Sequence, residues 1–206
     1  AKKQDGISFL LVRMDSPGIT VRPIRNLDMG DEFCEVFFDN VRVPKGQIVG
    51  DVDRGWTMAK NLLSFERIGI GSPRQSGYAL SRLRLLAEHM GQDEDPHFIE
   101  RYTRLRMDLE DHKALYETFA EKVRRGEQLG ADVSMLKINQ TELYQRITET
   151  MLDIAGENSG LLEPIGGNRE LNPQGQFIQS RPSTIYGGSN EIQRNVLAKN
   201  VLALPS

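Results

Sequence analysis

The hydrophobic pattern of the first 52 residues is typical of short β-strands. Apolar or alternating runs are separated by turn residues such as Pro17 and Gly18. These runs cover residues 7–14, 19–21, 34–38 and 41–44. Three or four strands of this length are marginal in water as an isolated sheet. We therefore expect this part of the chain to belong to a larger sheet.

Helical periodicity is clearest over residues 96–125, where apolar side chains recur at steps of three and four. Asp95 and Pro96 form a favourable N-cap and first-turn pair, and Gly126 is a favourable stop. The sequence therefore predicts one long helix here. His112 is in register with its apolar stripe, which consists of Phe98, Tyr102, Leu105, Leu109, Tyr116, Phe119 and Val123.

A second long helix is predicted from about residue 131 to 155. Its inward positions are Leu136, Leu143, Ile147, Met151 and Ile154. The stretch 56–90 is ambiguous, because Gly69, Gly71 and Pro73 interrupt its middle. It is either two helices joined by a loop, or one kinked helix whose small residues let a flat group lie against it.

Composition narrows the classes of partner. The chain has 206 residues, of which 38% are hydrophobic and 27% charged, and its net charge is −3. Without a long basic or acidic block, neither nucleic acid nor an anionic membrane surface is an expected partner. One cysteine, Cys34, excludes an internal disulfide, and the three histidines lack metal-ligand spacing, so no metal is expected. No apolar run approaches the ~20 residues that span a bilayer.

Residues 185–194, which read IYGGSNEIQR, place a glycine pair directly before a third predicted helix. This segment resembles the acyl-CoA dehydrogenases, flavin enzymes that introduce a double bond between Cα and Cβ of an acyl thioester. In that family the segment usually reads Tyr-Glu-Gly-Thr-Ser/Asn-Gln/Glu-Ile-Gln-Arg, and its glutamate is the catalytic base. Here Gly187 stands where that glutamate would be.

The resemblance extends over nearly the whole chain. Its other supports are residues 17–19 (PGI), 38–44 (FDNVRVP), 65–67 (FER) and 192–194 (IQR). It implies a mainly α fold, an antiparallel four-helix bundle over residues 55–206, preceded over residues 1–54 by the end of an antiparallel β-domain. The chain would then be a C-terminal fragment that begins inside the middle domain of the enzyme.

A minority of the family, the enzymes similar to isovaleryl- and long-chain acyl-CoA dehydrogenases, carries the base on the long helix after the β-domain, within Leu-Glu-Arg. Residues 65–67 match that position, so the resemblance implies that Glu66 is the base. An arbitrary glutamate is usually a solvated or salt-bridged helix residue. The glycine at 187 and the Glu-Arg context favour the catalytic interpretation here.

The same resemblance assigns roles to other residues. The backbone N–H of Gly187 would donate to the thioester carbonyl, with Gly188 beside it at the substrate. Ser189 would either cap the third helix or contact the flavin, and Glu191, in the same first turn, would also bind the flavin. The remaining assignments are Leu63 and Arg67 for the coenzyme A substrate and Gly156 for the flavin.

Two departures from the family affect the cofactor. An Arg-Arg/Lys-x-Phe-Gly stretch that reaches the flavin diphosphate is replaced by residues 90–94 (MGQDE), which lack the arginine. A Gln-Ile-His-Gly-Gly stretch that reaches the flavin of the neighbouring subunit is replaced by residues 153–157 (DIAGE). The acidic Asp153 and Glu157 would repel a diphosphate placed near them.

The resemblance thus implies an enzyme, an FAD-dependent acyl-CoA dehydrogenase that passes electrons to an electron-transfer flavoprotein or a similar acceptor. A homodimer, a homotetramer or a heteromer with a paralogue is expected, in the bacterial cytosol, with the mitochondrial matrix as the alternative compartment. Two alternatives remain. The chain could be a non-catalytic or half-site subunit of a heteromeric dehydrogenase, or a helical interaction module.

Overall fold

The computed structural model describes residues 2–205, except for the side chains of residues 61 and 63–67. The chain divides into two compact units, Ala1–Ser64 and Phe65–Ser206, and each is treated separately below. Most of the described residues are helical and the strands are antiparallel, so the predicted fold class is confirmed.

The first unit contains two antiparallel ribbons. Strands β2 (Ile19–Ile24) and β3 (Phe33–Phe38) pair with each other, as do the two-residue strands β1 (Phe9–Leu10) and β4 (Ile48–Val49). Two-stranded ribbons bury little apolar surface. Accordingly Phe38 keeps 59% of its surface exposed.

Two strand predictions need correction. The run 7–14 contributes only the two residues of β1, and the run 41–44 forms no strand. Pro44 is extended but has no N–H to donate to a ladder, and it leads into the 3-10 turn Lys45–Gln47. The expectation that this unit belongs to a larger sheet stays a prediction.

The helices of the bundle follow the predicted periodicity. Helix α3 covers Pro96–Arg124, and the Asp95 carboxylate accepts from the N–H groups of His97 (2.8 Å) and Phe98 (3.1 Å), which confirms the predicted cap. The other helices are α1 (Gly55–Ile70), α2 (Arg74–His89), α4 (Ser134–Ala155), α5 (Pro173–Ser180) and α6 (Asn190–Asn200). Within the part of the chain that the structure describes, no helix is long and apolar enough to span a bilayer.

The ambiguous stretch forms two helices, α1 and α2, which a short turn at residues 71–73 separates. His112 of α3 is buried, and its Nε2 atom lies 2.8 Å from the carbonyl oxygen of Gly71. Because a carbonyl only accepts, this ring nitrogen is the donor. The bond satisfies a carbonyl in the turn after α1 and ties that turn to the bundle.

Helix α4 occupies the centre of the bundle, because it packs against α2, α3, α5 and α6. More than half of the α4 residues that the structure describes are buried. Burial of its apolar face against α2 and α3 supplies the main hydrophobic core. The α4 members of that core are Leu143, Tyr144, Ile147, Met151, Ile154 and Ala155.

Candidate active site

The turn before α6 depends on its two glycines. Gly187 has φ +65° and Gly188 has φ +87°, in the left-handed region that other residues rarely adopt. The helix then begins at Asn190, and the hydroxyl of Ser189 accepts from the N–H of Ile192 at 3.4 Å. Ser189 is therefore an N-cap, one of the two roles predicted for it.

The space beside Gly187 is already filled. A Cβ atom added at this position would overlap Ile70 Cδ1, while Ile70 Cγ1 would lie at 3.7 Å, an ordinary contact. Ile70 is the last residue of α1. A side chain at position 187 would therefore need the end of the Ile70 side chain to move, and it would stand on a backbone conformation that residues with a Cβ rarely adopt.

The carbonyl groups of both glycines face the side chain of Gln193. Its Nε2 donates to Gly187 O at 3.1 Å and to Gly188 O at 3.5 Å. Gln193 is only 3% exposed, so these bonds form in a dry environment, where the shorter bond, to Gly187 O, is the stronger of the two. The amide therefore fixes the backbone of the turn from the side of α6.

A buried lysine holds the beginning of α6. Lys137 of α4 is fully buried, and its Nζ donates to Asn190 Oδ1 at 2.7 Å. Asn190 Nδ2 in turn donates to Thr141 Oγ1 and to Glu142 Oε1, both at 3.1 Å. Burial lowers the pKa of Lys137, while the charges of Glu191 and Glu142 oppose that shift. This polar network joins α6 to the centre of the bundle.

An open cleft of about 640 Å³ lies next to the glycine turn. The end of α1, the turn after it, the start of α2 and Tyr186 form its walls. Burial raises the pKa of Tyr186, so its phenol stays protonated and can donate at neutral pH. The lining residues are Gly69, Ile70, Ser72, Arg74, Gln75, Tyr78 and Tyr186.

The structure brings some of the predicted site residues together and separates another. Gly187, Gly188, Ser189 and Glu191 lie in one turn at the start of α6. The pKa of exposed Glu191 is lowered, first by a hydrogen bond from its own backbone and then by one from the Ser189 hydroxyl. Gly156 ends α4, about 28 Å along the helix from Lys137 at a rise of about 1.5 Å per residue. One chain therefore does not place Gly156 at the glycine turn.

Three predicted residues are on α1. Leu63, Glu66 and Arg67 fall within its bounds, but their side chains lie outside the described residues. Their roles therefore stay predictions. Sequence reasoning missed Ile70, Lys137 and Gln193; the inward helical position of Lys137, four residues before buried Thr141, was the available signal.

The residues that could hold FAD fit it in part. The N-terminus of α6 suits an electron-rich ring edge, and no atom lies within 4 Å of a Cβ added at Gly156, which leaves room for a ligand there. The repulsion expected from Asp153 is reduced, because this carboxylate pairs with Arg101 at 2.8 Å. Gln92, within the stretch that lacks the family arginine, donates to Ile154 O.

An antiparallel helical bundle that follows short antiparallel strands, with a glycine turn before its last helix, defines a helical domain of acyl-CoA dehydrogenase type. The family model described as acyl-CoA dehydrogenase, C-terminal domain, matches residues 53–202. The chain belongs to the acyl-CoA dehydrogenase family.

Relatives cover all of this chain. Acyl-CoA dehydrogenase IpdE1 of Mycolicibacterium smegmatis is 36% identical over 208 residues, which are 100% of this chain and 51% of that protein. Acyl-CoA dehydrogenase FadE34 of Mycobacterium tuberculosis is 32% identical over 205 residues, 100% of this chain and 27% of that protein. The chain spans about half the length of IpdE1 and less of FadE34.

Solved structures share the fold. The structure described as Tcur3481-Tcur3483 steroid ACAD has a TM-score of 0.89 at 26% identity, covering 100% of this chain and 54% of that one. The ChsE4-ChsE5 complex from Mycobacterium tuberculosis has a TM-score of 0.74 at 24% identity, covering 100% of this chain and 55% of that one. The second description names a complex of two different proteins.

Proposed function

We propose that the whole protein is an FAD-dependent acyl-CoA dehydrogenase in which Glu66 is the base. The observation that carries this proposal is the filled space at position 187. Ile70 occupies the volume where the usual glutamate would begin. Positions 66 and 70 are one turn apart in α1 and share a face of the helix. In this proposal, a carboxylate at position 66 serves from α1 the role that the usual glutamate would have at position 187.

The base removes the α-proton of the acyl thioester. A carboxylate in a site closed to water is a stronger base than one in water, because desolvation disfavours its charged form. The enolate that develops needs a donor at the thioester oxygen. In this proposal the N–H of Gly187 is that donor, and the absence of a side chain does not remove it.

FAD would supply the acceptor for the β-hydrogen, which leaves as hydride. Ser189 and Glu191 would lie at the flavin of the same chain. Gly156, far along α4, would serve the flavin of a neighbouring subunit. Leu63, Arg67 and Gly188 would contact the acyl-CoA, and the electrons would pass to an electron-transfer flavoprotein or a similar acceptor.

The decisive experiment replaces Glu66→Gln in the full-length protein. A positioned base contributes ~10²–10⁴-fold to the rate, so dehydrogenation should fall by at least ~100-fold while flavin content is unchanged. The matched control is Glu163→Gln, an exposed carboxylate in a loop. A variant that keeps more than about a tenth of the wild-type rate would contradict the assignment. Straight-chain, branched and steroid CoA thioesters should be tested as substrates, since one relative is described as a steroid enzyme.

A second candidate is a half-site subunit of a heteromeric dehydrogenase, which agrees with the missing arginine in residues 90–94 and with the relatives named as pairs. Flavin content decides between the candidates. One FAD per chain in the purified full-length protein supports a homomeric enzyme, and one FAD per two unlike chains supports the heteromer. The bacterial relatives favour a bacterial cytosol for either assembly.

A further inference from the structure

Two consecutive glycines form a flexible backbone segment unless something outside the segment holds it. Gly187 and Gly188 both have positive φ, and neither has a side chain that could pack. In the folded chain their two carbonyl oxygens bond to one group, the amide nitrogen of Gln193. A carboxamide nitrogen carries two hydrogens, so it can donate to both carbonyls at once.

The bonds to Gln193 determine how the turn presents its N–H groups. A peptide unit is planar and trans, so an anchored carbonyl also sets the direction of the N–H in the same unit. The anchored Gly187 carbonyl directs the N–H of Gly188 away from Gln193. The N–H of Gly187 belongs to the preceding peptide unit, which meets the anchored unit at the Gly187 Cα atom, so the bond from Gln193 holds one end of that unit in place.

The hydrogen-bond network of Lys137 holds the helix that carries Gln193. Its bond to Asn190 fixes the first residue of α6, and Gln193 lies one turn later in the same helix. The start of α6 therefore cannot shift without breaking a buried hydrogen bond in a dry environment. The backbone of Gln193 is therefore held in a fixed position, from which its side-chain amide bonds the carbonyl groups of the two glycines.

We propose that Gln193 is a positioning residue that aims the backbone donors of the glycine turn at the thioester carbonyl. This inference rests on the proposed acyl-CoA dehydrogenase activity. It goes beyond that activity because it predicts that a side chain without contact to substrate or flavin controls recognition of the carbonyl group. A residue that only stabilised the fold would not distinguish a carbonyl-bearing ligand from one without a carbonyl.

The test uses Gln193→Met in the full-length flavin-loaded enzyme, with two ligands that differ only at the carbonyl: an acyl-CoA thioester and the matching alkyl-CoA thioether. We expect affinity for the thioester to fall roughly fivefold or more, as for a lost hydrogen bond, and affinity for the thioether to stay within twofold. The turnover number should fall about 10- to 100-fold, less than for a deleted oxyanion donor.

Gln145→Met is the matched control. Gln145 Nε2 also donates to two backbone carbonyls, those of Ser180 (3.2 Å) and Arg181 (3.3 Å), but it does not bond to the glycine turn. This variant should lose stability without changing the ratio of thioester to thioether affinity. If Gln193→Met does not bind flavin, Gln193→Asn, which withdraws the donor by one methylene, gives the same comparison.

Equal losses for both ligands, or an unchanged thioester affinity and turnover number, would overturn the inference and leave the Glu66-dependent activity standing. Failure of the wild-type enzyme to dehydrogenate any thioester would remove the proposed function and this inference together. The two failures are therefore distinguished by the wild-type protein alone.

Discussion

The contact between Ile70 and Gly187 gives a quantitative prediction about stability. Replacing Gly187→Ala adds one methyl group, which meets two obstacles. The backbone at φ +65° is unfavourable for any residue with a Cβ, and that Cβ would overlap Ile70 Cδ1. The change Ile70→Val deletes this same Cδ1 atom, so a double-mutant cycle separates the two obstacles.

The expected free energies follow from these contacts. The left-handed backbone costs alanine about 1–2 kcal/mol, and forcing a methyl into a filled space costs about 1–3 kcal/mol. Gly187→Ala should therefore lower the free energy of unfolding by roughly 2–5 kcal/mol. In the Ile70→Val background the same change should cost only about 1–2 kcal/mol, since Ile70 Cγ1 lies at 3.7 Å from the added Cβ.

Gly91→Ala is the control for backbone strain alone. Gly91 has φ +66°, and no atom lies within 4 Å of a Cβ added there. Equilibrium urea unfolding, followed by circular dichroism, gives the free energies of the four proteins in the cycle and of the control. The steric argument is refuted if Gly187→Ala costs no more than Gly91→Ala, or if the coupling in the cycle is below about 0.5 kcal/mol.

Two further predictions follow from the same structure. Adding Gly187→Glu to the Glu66→Gln variant should not restore dehydrogenation, because Ile70 Cδ1 lies where the new side chain would begin. Adding Ile70→Val as a third change should raise the rate. A steady-state assay of the single, double and triple variants checks this. Burial lowers the pKa of His112 below its ordinary 6.5, so the unfolded chain binds more protons and stability should fall as the pH falls from 6.5 toward the lowered pKa. Urea unfolding at several pH values checks this: the free energy of unfolding should depend less on pH in His112→Gln than in the wild-type protein, and an equal dependence in the two would contradict the linkage.

Local sequence signals were enough to predict the long helices. The cap at Asp95, the first-turn proline and the spacing of apolar residues all concern neighbouring positions, and α3 begins and ends within one residue of the prediction. Helix α5 was missed because its eight residues contain too few apolar repeats to show a period. Its cap, Asn172 followed by Pro173, was the only local sign.

The site required contacts between distant positions. A lysine is almost never fully buried, so although Lys137 takes an inward helical position, the local sequence did not predict that it would bond Asn190 across the bundle. The motif at residues 192–194 identified the family, but the role of Gln193 appeared only when its bonds to the glycine carbonyls were known. Family resemblance thus located the turn, and the tertiary structure explained how the turn is held.

The contact between Ile70 and Gly187 also bears on how the position of the catalytic base can differ between members of the family, from the turn before α6 to helix α1. Removing the glutamate side chain at position 187 alone would leave a void, and voids in a packed domain cost stability in proportion to their volume. Here Ile70, one turn after the proposed new base, fills that volume. We therefore expect relocation of the carboxylate to involve position 70 as well as positions 66 and 187. We expect acyl-CoA dehydrogenases with a glutamate at the position of Gly187 to carry a smaller or differently directed side chain at the position of Ile70, which a structural alignment of both groups can test.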